Sequence, residues 1–131
     1  MAQQKKTVLM IEDDVLLARM YEIKLEMAGY DVLLAHSAGD VSALLGNCDP
    51  SVILLDILLP KVNGLAVLKE LRKHPTTMHC PVIILTNLAG SEIDMDDELA
   101  DALGVVAYLV KSKVTPDKVL EQVNKAVATG R

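Results

Sequence analysis

The chain has 131 residues, 51% hydrophobic and 24% charged, a balance that excludes a disordered segment and allows one core without disulfides or a structural metal. Its formal charge of −5 argues against direct nucleic-acid contact, which needs a dense basic surface to displace counterions from phosphates. Trp and Phe are absent and Tyr occurs three times, so the core must be aliphatic.

Residues 1–6 run straight into an apolar strand predicted over 7–11, with no signal-peptide apolar region or small-residue cleavage site. No apolar run reaches the 18 or so residues of a membrane span. Both features predict a soluble cytoplasmic protein. Val15, Leu16, Met20, Ile23, Leu25 and Met27 recur at helical spacing, and Gly29 supplies a terminator of the kind that adopts positive φ. A second strand is predicted over 31–35, then a short helix over 38–45 closed by Gly46. A third strand covers 51–55. Asn63 is placed to cap a helix carrying Leu65, Val67, Leu68 and Leu71, which must stop before Pro75.

A fourth strand is predicted over 81–85. Leu99, Ala102 and Leu103 mark a fourth helix ended by Gly104, and the fifth strand covers 105–110. Thr115 as N-cap and Pro116 in the first turn open a last helix with Val119, Leu120, Val123, Ala126 and Val127 as its apolar stripe. Short apolar strands alternating with helices predict βαβ units around a parallel sheet covered on both faces. Nothing in the chain reads as a linker or repeat, so residues 1–131 are expected to form one domain.

Four of the five strands end in polar residues that their apolar runs do not explain: Glu12 and Asp13, Asp56, Thr86 and Lys111. In an open parallel sheet these ends face one crevice, where ligands bind. Gathered carboxylates repel, and a divalent cation with oxygen ligands, Mg²⁺ above all, relieves that repulsion. Lys111 and the Thr86 hydroxyl can then meet an anion arriving at a carboxylate. Such a set describes phosphoryl acceptance on Asp56, with no histidine base required. Singly, each acid could as well cap the next helix; Asp14 is assigned that role at the first helix. His36, His74 and His79 lie in segments not expected to converge on the acids, and Cys48 and Cys80 are read as structural thiols.

The runs VLMIEDD at 8–14, LLDILLPKVNG at 54–64, IILT at 83–86 and YLVK at 108–111 resemble the response-regulator receiver domain of two-component phosphorelay signalling, over essentially the whole chain. The resemblance implies a flavodoxin-like doubly wound (βα)5 fold with a five-stranded parallel sheet in the order 2-1-3-4-5. It implies a phosphorylation-activated switch rather than an enzyme, with Asp56 as phosphoacceptor. Asp13 is then a direct Mg²⁺ ligand, Glu12 an acid of the outer coordination sphere, and the Leu58 backbone carbonyl a further ligand. Thr86 is the switching hydroxyl and Tyr108 the aromatic whose orientation follows it. The implied partners are a sensor histidine kinase or histidine phosphotransfer protein, and a downstream protein or second copy at the face of the fourth helix, fifth strand and fifth helix. Neither nucleic acid nor membrane is an expected partner of this chain. Since the sequence stops soon after the last helix, output is expected to pass through partners.

Three features depart from the common pattern of that family. Ser112 replaces the proline after Lys111, Asn87 stands where a smaller residue is usual, and the stretch around 90–97 reads as an acidic insertion. Three rival readings remain. A phosphorylation-independent pseudo-receiver adaptor would be expected to lack Asp56, Lys111 or the acidic pair. A flavodoxin-like cofactor binder would need a phosphate-cradling loop after the first strand. An aspartate-nucleophile phosphatase would place a second acid where Leu58 stands.

Overall fold

A computed structural model describes residues 5–59, 62–87 and 103–129. The strands are β1 (Thr7–Ile11), β2 (Asp31–Ala35), β3 (Val52–Leu55), a two-residue pair β4 (Leu58–Leu59) and β5 (Val62–Asn63), then β6 (Val82–Thr86) and β7 (Val105–Val110). The helices are α1 (Val15–Met27), α2 (Ala38–Leu44), α3 (Gly64–Leu71) and a C-terminal helix (Pro116–Thr129). The expected fourth helix and the expected insertion lie largely or wholly outside the described residues.

The main sheet is parallel, in the order β2-β1-β3-β6-β7. This is the expected 2-1-3-4-5 order once the antiparallel β4–β5 pair, which forms a separate two-stranded sheet, is counted in the numbering. Alternate residues of each central strand feed opposite faces. Leu9, Ile11, Ile53, Leu55, Val82 and Ile84 pack toward α2 and α3. Val8, Met10, Val52, Leu54, Ile83 and Leu85 pack toward α1 and the C-terminal helix. Both faces are therefore dry, which is why the strands read as unbroken apolar runs.

The helix ends follow local chemistry. Asp14 caps α1 by accepting from Leu17 N, Ser37 caps α2 by accepting from Asp40 N, and Thr115 Oγ1 accepts from Lys118 N at the start of the C-terminal helix. Gly29 and Gly104 have φ of +98° and +73°, as terminators should. Gly46 is not among the positive-φ glycines, and α2 ends at Leu44 with Leu45 still right-handed, so Gly46 does not supply the stop. Asn63, the last residue of β5, directly precedes α3, which begins at Gly64, the position expected for its cap.

The face that α1 turns to the core differs from the sequence expectation. Ala18, Tyr21 and Leu25 are buried, whereas Leu16, Met20, Ile23 and Met27 are exposed. Helical periodicity was correctly present, but α1 carries two apolar stripes and only one can face the sheet.

One cluster was not legible in the sequence. Arg72, just past α3, donates Nε to Leu103 O at 2.7 Å and a terminal nitrogen to Cys80 O at 2.6 Å, and its other terminal nitrogen donates to Thr77 O. The planar fork thus ties the end of α3 to the segments that precede β6 and β7. Burial lowers its pKa. Cys80 and Cys48 are buried thiols that form no disulfide with each other, as expected.

Candidate functional site

β1 and β3 lie side by side in the sheet, and Asp56 N, one residue past β3, donates to Ile11 O at the end of β1 at 3.0 Å. Glu12 and Asp56 are buried, and Asp13 is more open. Carboxylate oxygens of Glu12, Asp13 and Asp56 lie within 4.8 Å of one another. The predicted convergence of these acids is present in the fold.

Lys111 follows β7 in a short 3-10 turn (Lys111–Lys113) and reaches across the crevice. Its Nζ lies 2.7 Å from Asp56 Oδ2 and in ion contact with Glu12 Oε1. The other Asp56 oxygen, Oδ1, accepts from Leu58 N at 2.9 Å. Glu12 Oε2 accepts from Asp14 N at 3.1 Å. The peptide between Lys111 and Ser112 is trans, as are all those described.

Burial pushes the Glu12 carboxyl up to about 7, against the pull of the Lys111 hydrogen bond and the Asp14 amide. For Lys111, burial acts to lower the pKa, but the hydrogen bonds to Asp56 and Glu12 outweigh it and the net shift is upward. Three carboxylates against one ammonium leave an excess of negative charge. Glu12 Oε1 is moreover buried, with the Lys111 ammonium in ion contact with it. An all-oxygen donor set with surplus negative charge fits a hard divalent cation such as Mg²⁺ better than a soft transition metal.

Thr86 ends β6, fully buried, and pairs with Val110 across to β7, while Ile84 pairs with Tyr108. By strand alternation Thr86 shares the face of Ile84, against whose cluster Tyr108 packs. The two predicted switch residues therefore lie on one face of adjoining strands. Asn87, the next residue, is exposed.

Gly64 shapes the floor of the loop after Asp56. Its amide donates to Ile57 O at 2.9 Å, and a Cβ there would lie 2.4 Å from Ile57 Cα and 2.9 Å from Asp56 O. Only glycine fits that approach. The acid cluster contains no histidine among the described residues, as expected, and His36 approaches it through the backbone of Glu12. Its Nδ1 bonds Glu12 O at 2.9 Å, and its backbone amide donates to Asp40 Oδ2 at 2.9 Å. The signal was present: His36 directly follows β2, so the fifth strand, like the other four, leads into a polar residue at this crevice.

The sequence profile of the response regulator receiver domain matches residues 8–124. The chain belongs to the response regulator receiver domain family. It is 36% identical over 111 residues to the DNA-binding dual master transcriptional regulator RpaA of Synechocystis sp., which covers 79% of this chain and 46% of RpaA. With the transcriptional regulatory protein CpxR of Klebsiella pneumoniae it shares 40% identity over 104 residues, covering 79% of this chain and 42% of CpxR. The receiver domain thus spans less than half the length of these curated relatives. Among solved structures, a CheY-like receiver domain protein from Methanospirillum hungatei superposes with a TM-score of 0.82 at 27% identity, over 95% of each chain. Chemotaxis response regulator CheY4 of Vibrio cholerae superposes at 0.80 with 24% identity, over 94% of this chain and 99% of that one, a likeness of fold. No helix among the described residues is long and apolar enough to cross a membrane.

Proposed function

We propose that this receiver domain is a phosphorylation-activated switch that accepts a phosphoryl group on Asp56 in a Mg²⁺-dependent reaction. The observation that carries the reading is the buried contact of Lys111 with both Asp56 and Glu12 in a crevice that retains excess negative charge. A carboxylate nucleophile, a cation for the incoming anion and oxygen ligands for a metal are then in one place.

Mg²⁺, when bound, would neutralise charge on the transferring phosphoryl group. Asp13 and the Leu58 carbonyl would hold it together with Asp56, and Glu12 would act through metal-bound water. An Asp56 carboxylate oxygen attacks phosphorus while the P–N bond of a phosphohistidine donor breaks, and the imidazole nitrogen leaves with the electron pair. Leu58 N orients the carboxylate through Oδ1. Lys111, already beside Oδ2, meets the phosphoryl oxygens, and Thr86 offers its hydroxyl to them from the end of β6.

New acceptor oxygens favour the arrangement in which Thr86 and Lys111 both bind them, and Tyr108, on the same face, repacks with Thr86. The protein is itself the modified product, so its role is a switch rather than turnover of a substrate. A sensor histidine kinase or histidine phosphotransfer protein is the donor by this reading. Output runs to a downstream protein or a second copy through the face that includes β7 and the C-terminal helix. Calorimetric titration with Mg²⁺ tests the metal step: wild type binds, and Asp13→Asn loses most of the affinity. Equal binding by the two proteins would sink this assignment of the metal site.

A further inference from the structure

The outward face of α1 carries four large apolar side chains in one stripe: Leu16 at 84% exposure, Met20 at 40%, Ile23 at 44% and Met27 at 83%. Their spacing of four, three and four residues is a d-a-d-a heptad seam, the pattern by which one helix packs against another. At 3.6 residues per turn the stripe lies nearly opposite Ala18, Tyr21 and Leu25, which fill the core. None of the four belongs to either core cluster. A contiguous exposed apolar stripe of this kind is a candidate interaction surface.

We propose that α1 is a self-association surface at which a second copy of this chain docks antiparallel. A two-fold axis between Met20 and Ile23 sets Leu16 against Met27 of the second copy and Met20 against its Ile23. The flanking charges select both the partner and the direction. Arg19 and Glu26 lie on the same flank of the seam at equivalent heptad positions, and both are exposed. Antiparallel pairing brings Arg19 of each copy beside Glu26 of the other, two opposite-charge pairs related by the axis. Parallel pairing would instead bring Arg19 toward Lys24 of the other copy, a repulsive contact. Arg19 contacts Glu22 within its own helix, an exposed pair of small value that is readily exchanged. Lys24, on the other flank, is paired with Asp117 of the C-terminal helix.

The surface lies over the β2 side of the sheet, at the far edge from β7. Association here leaves the β7 edge open. The buried area is at the small end for a specific interface, which makes the dimer a weak one.

Sedimentation equilibrium of the full chain over roughly 10 μM to 1 mM, a range suited to a small interface, tests the proposal. The expected result is a reversible monomer–dimer equilibrium that Met20→Glu weakens at least tenfold. Arg19→Glu alone also weakens it, and the exchange Arg19→Glu with Glu26→Arg restores it, because the exchange rebuilds both pairs. All these positions are exposed or half-exposed, and far-UV circular dichroism verifies that each variant folds. If Met20→Glu unfolds the chain, the charge exchange alone carries the test. A chain that stays monomeric throughout overturns the proposal, even if the stripe then binds the helices of a phosphodonor protein. A dimer indifferent to Met20→Glu, or one that the charge exchange fails to restore, overturns it as well.

Discussion

Lys111 Nζ lies 2.7 Å from Asp56 Oδ2 and also contacts Glu12 Oε1, so one ammonium serves two buried carboxylates drawn from different strand ends. The bridge joins β7 to β1 and β3 across the crevice. Removing it strands two buried charges, which is far more damaging than losing an exposed ion pair. Lys111→Met keeps the aliphatic stem and deletes the charge. It is expected to lower unfolding free energy by about 3 kcal/mol in EDTA at pH 8, and by less with saturating Mg²⁺. Urea unfolding of the two proteins under both conditions checks this; an effect that does not respond to Mg²⁺ would count against a shared charge cluster.

Glu12 gives the site a pH signature in the metal-free state. Burial raises its carboxyl from 4.5 to about 7, so the folded chain holds that proton more tightly than the unfolded chain. The resulting stabilisation is complete below pH 4.5 and is lost as pH rises through about 7. In EDTA the wild-type Tm should therefore carry a falling component across that window, and Glu12→Gln should lack it. Thermal scans at stepped pH on both proteins decide the point; parallel curves would place the destabilising charge elsewhere.

Gly64 is predicted to be irreplaceable for a different reason. A Cβ 2.4 Å from Ile57 Cα meets backbone rather than a flexible side chain, so the chain beside Asp56 must move. Gly64→Ala should destabilise by at least about 2 kcal/mol and weaken Mg²⁺ binding in the fraction that folds. Gly39→Ala is the control. A Cβ at 39 would meet only Ser37 Oγ at 3.8 Å, and within α2 alanine should stabilise by about 0.5 to 1 kcal/mol. Chemical denaturation of both variants separates close approach from helix propensity.

Arg72 should prove as important to stability as any core residue. Its three carbonyl partners, in Leu103, Thr77 and Cys80, come from the two segments that lead into β7 and β6. Arg72→Ala is expected to cost about 2 to 4 kcal/mol, and Arg72→Lys to recover little, since an ammonium cannot reproduce a planar three-way fork. Unfolding free energies for the two variants measure the difference; full rescue by lysine would show that charge alone matters.

The strand alternation was legible because both faces of the sheet are covered, leaving uninterrupted apolar runs such as Val8 to Ile11 and Val52 to Leu55. Glu12, Asp56, Thr86 and Lys111 were legible for the complementary reason, as polar residues where those runs stop. The orientation of α1 was not, because Leu16, Met20, Ile23 and Met27 repeat with the same helical period as Ala18, Tyr21 and Leu25. Periodicity reports a stripe and does not say which stripe is buried. Arg72 and His36 were missed because each acts on backbone carbonyls, and carbonyl partners leave no side-chain pattern in a sequence. His36 could have been found by extending the strand-end argument to β2.

The most direct test of phosphoryl switching is intact-mass spectrometry after incubation with acetyl phosphate and Mg²⁺, comparing wild type, Asp56→Asn, and wild type with EDTA. The account predicts one phosphoryl adduct on wild type, lost on treatment with hydroxylamine as an acyl phosphate should be, and absent from both the variant and the chelated sample. An unmodified wild type, or an adduct that persists in Asp56→Asn, would contradict it; the first result would favour an adaptor that works without phosphorylation.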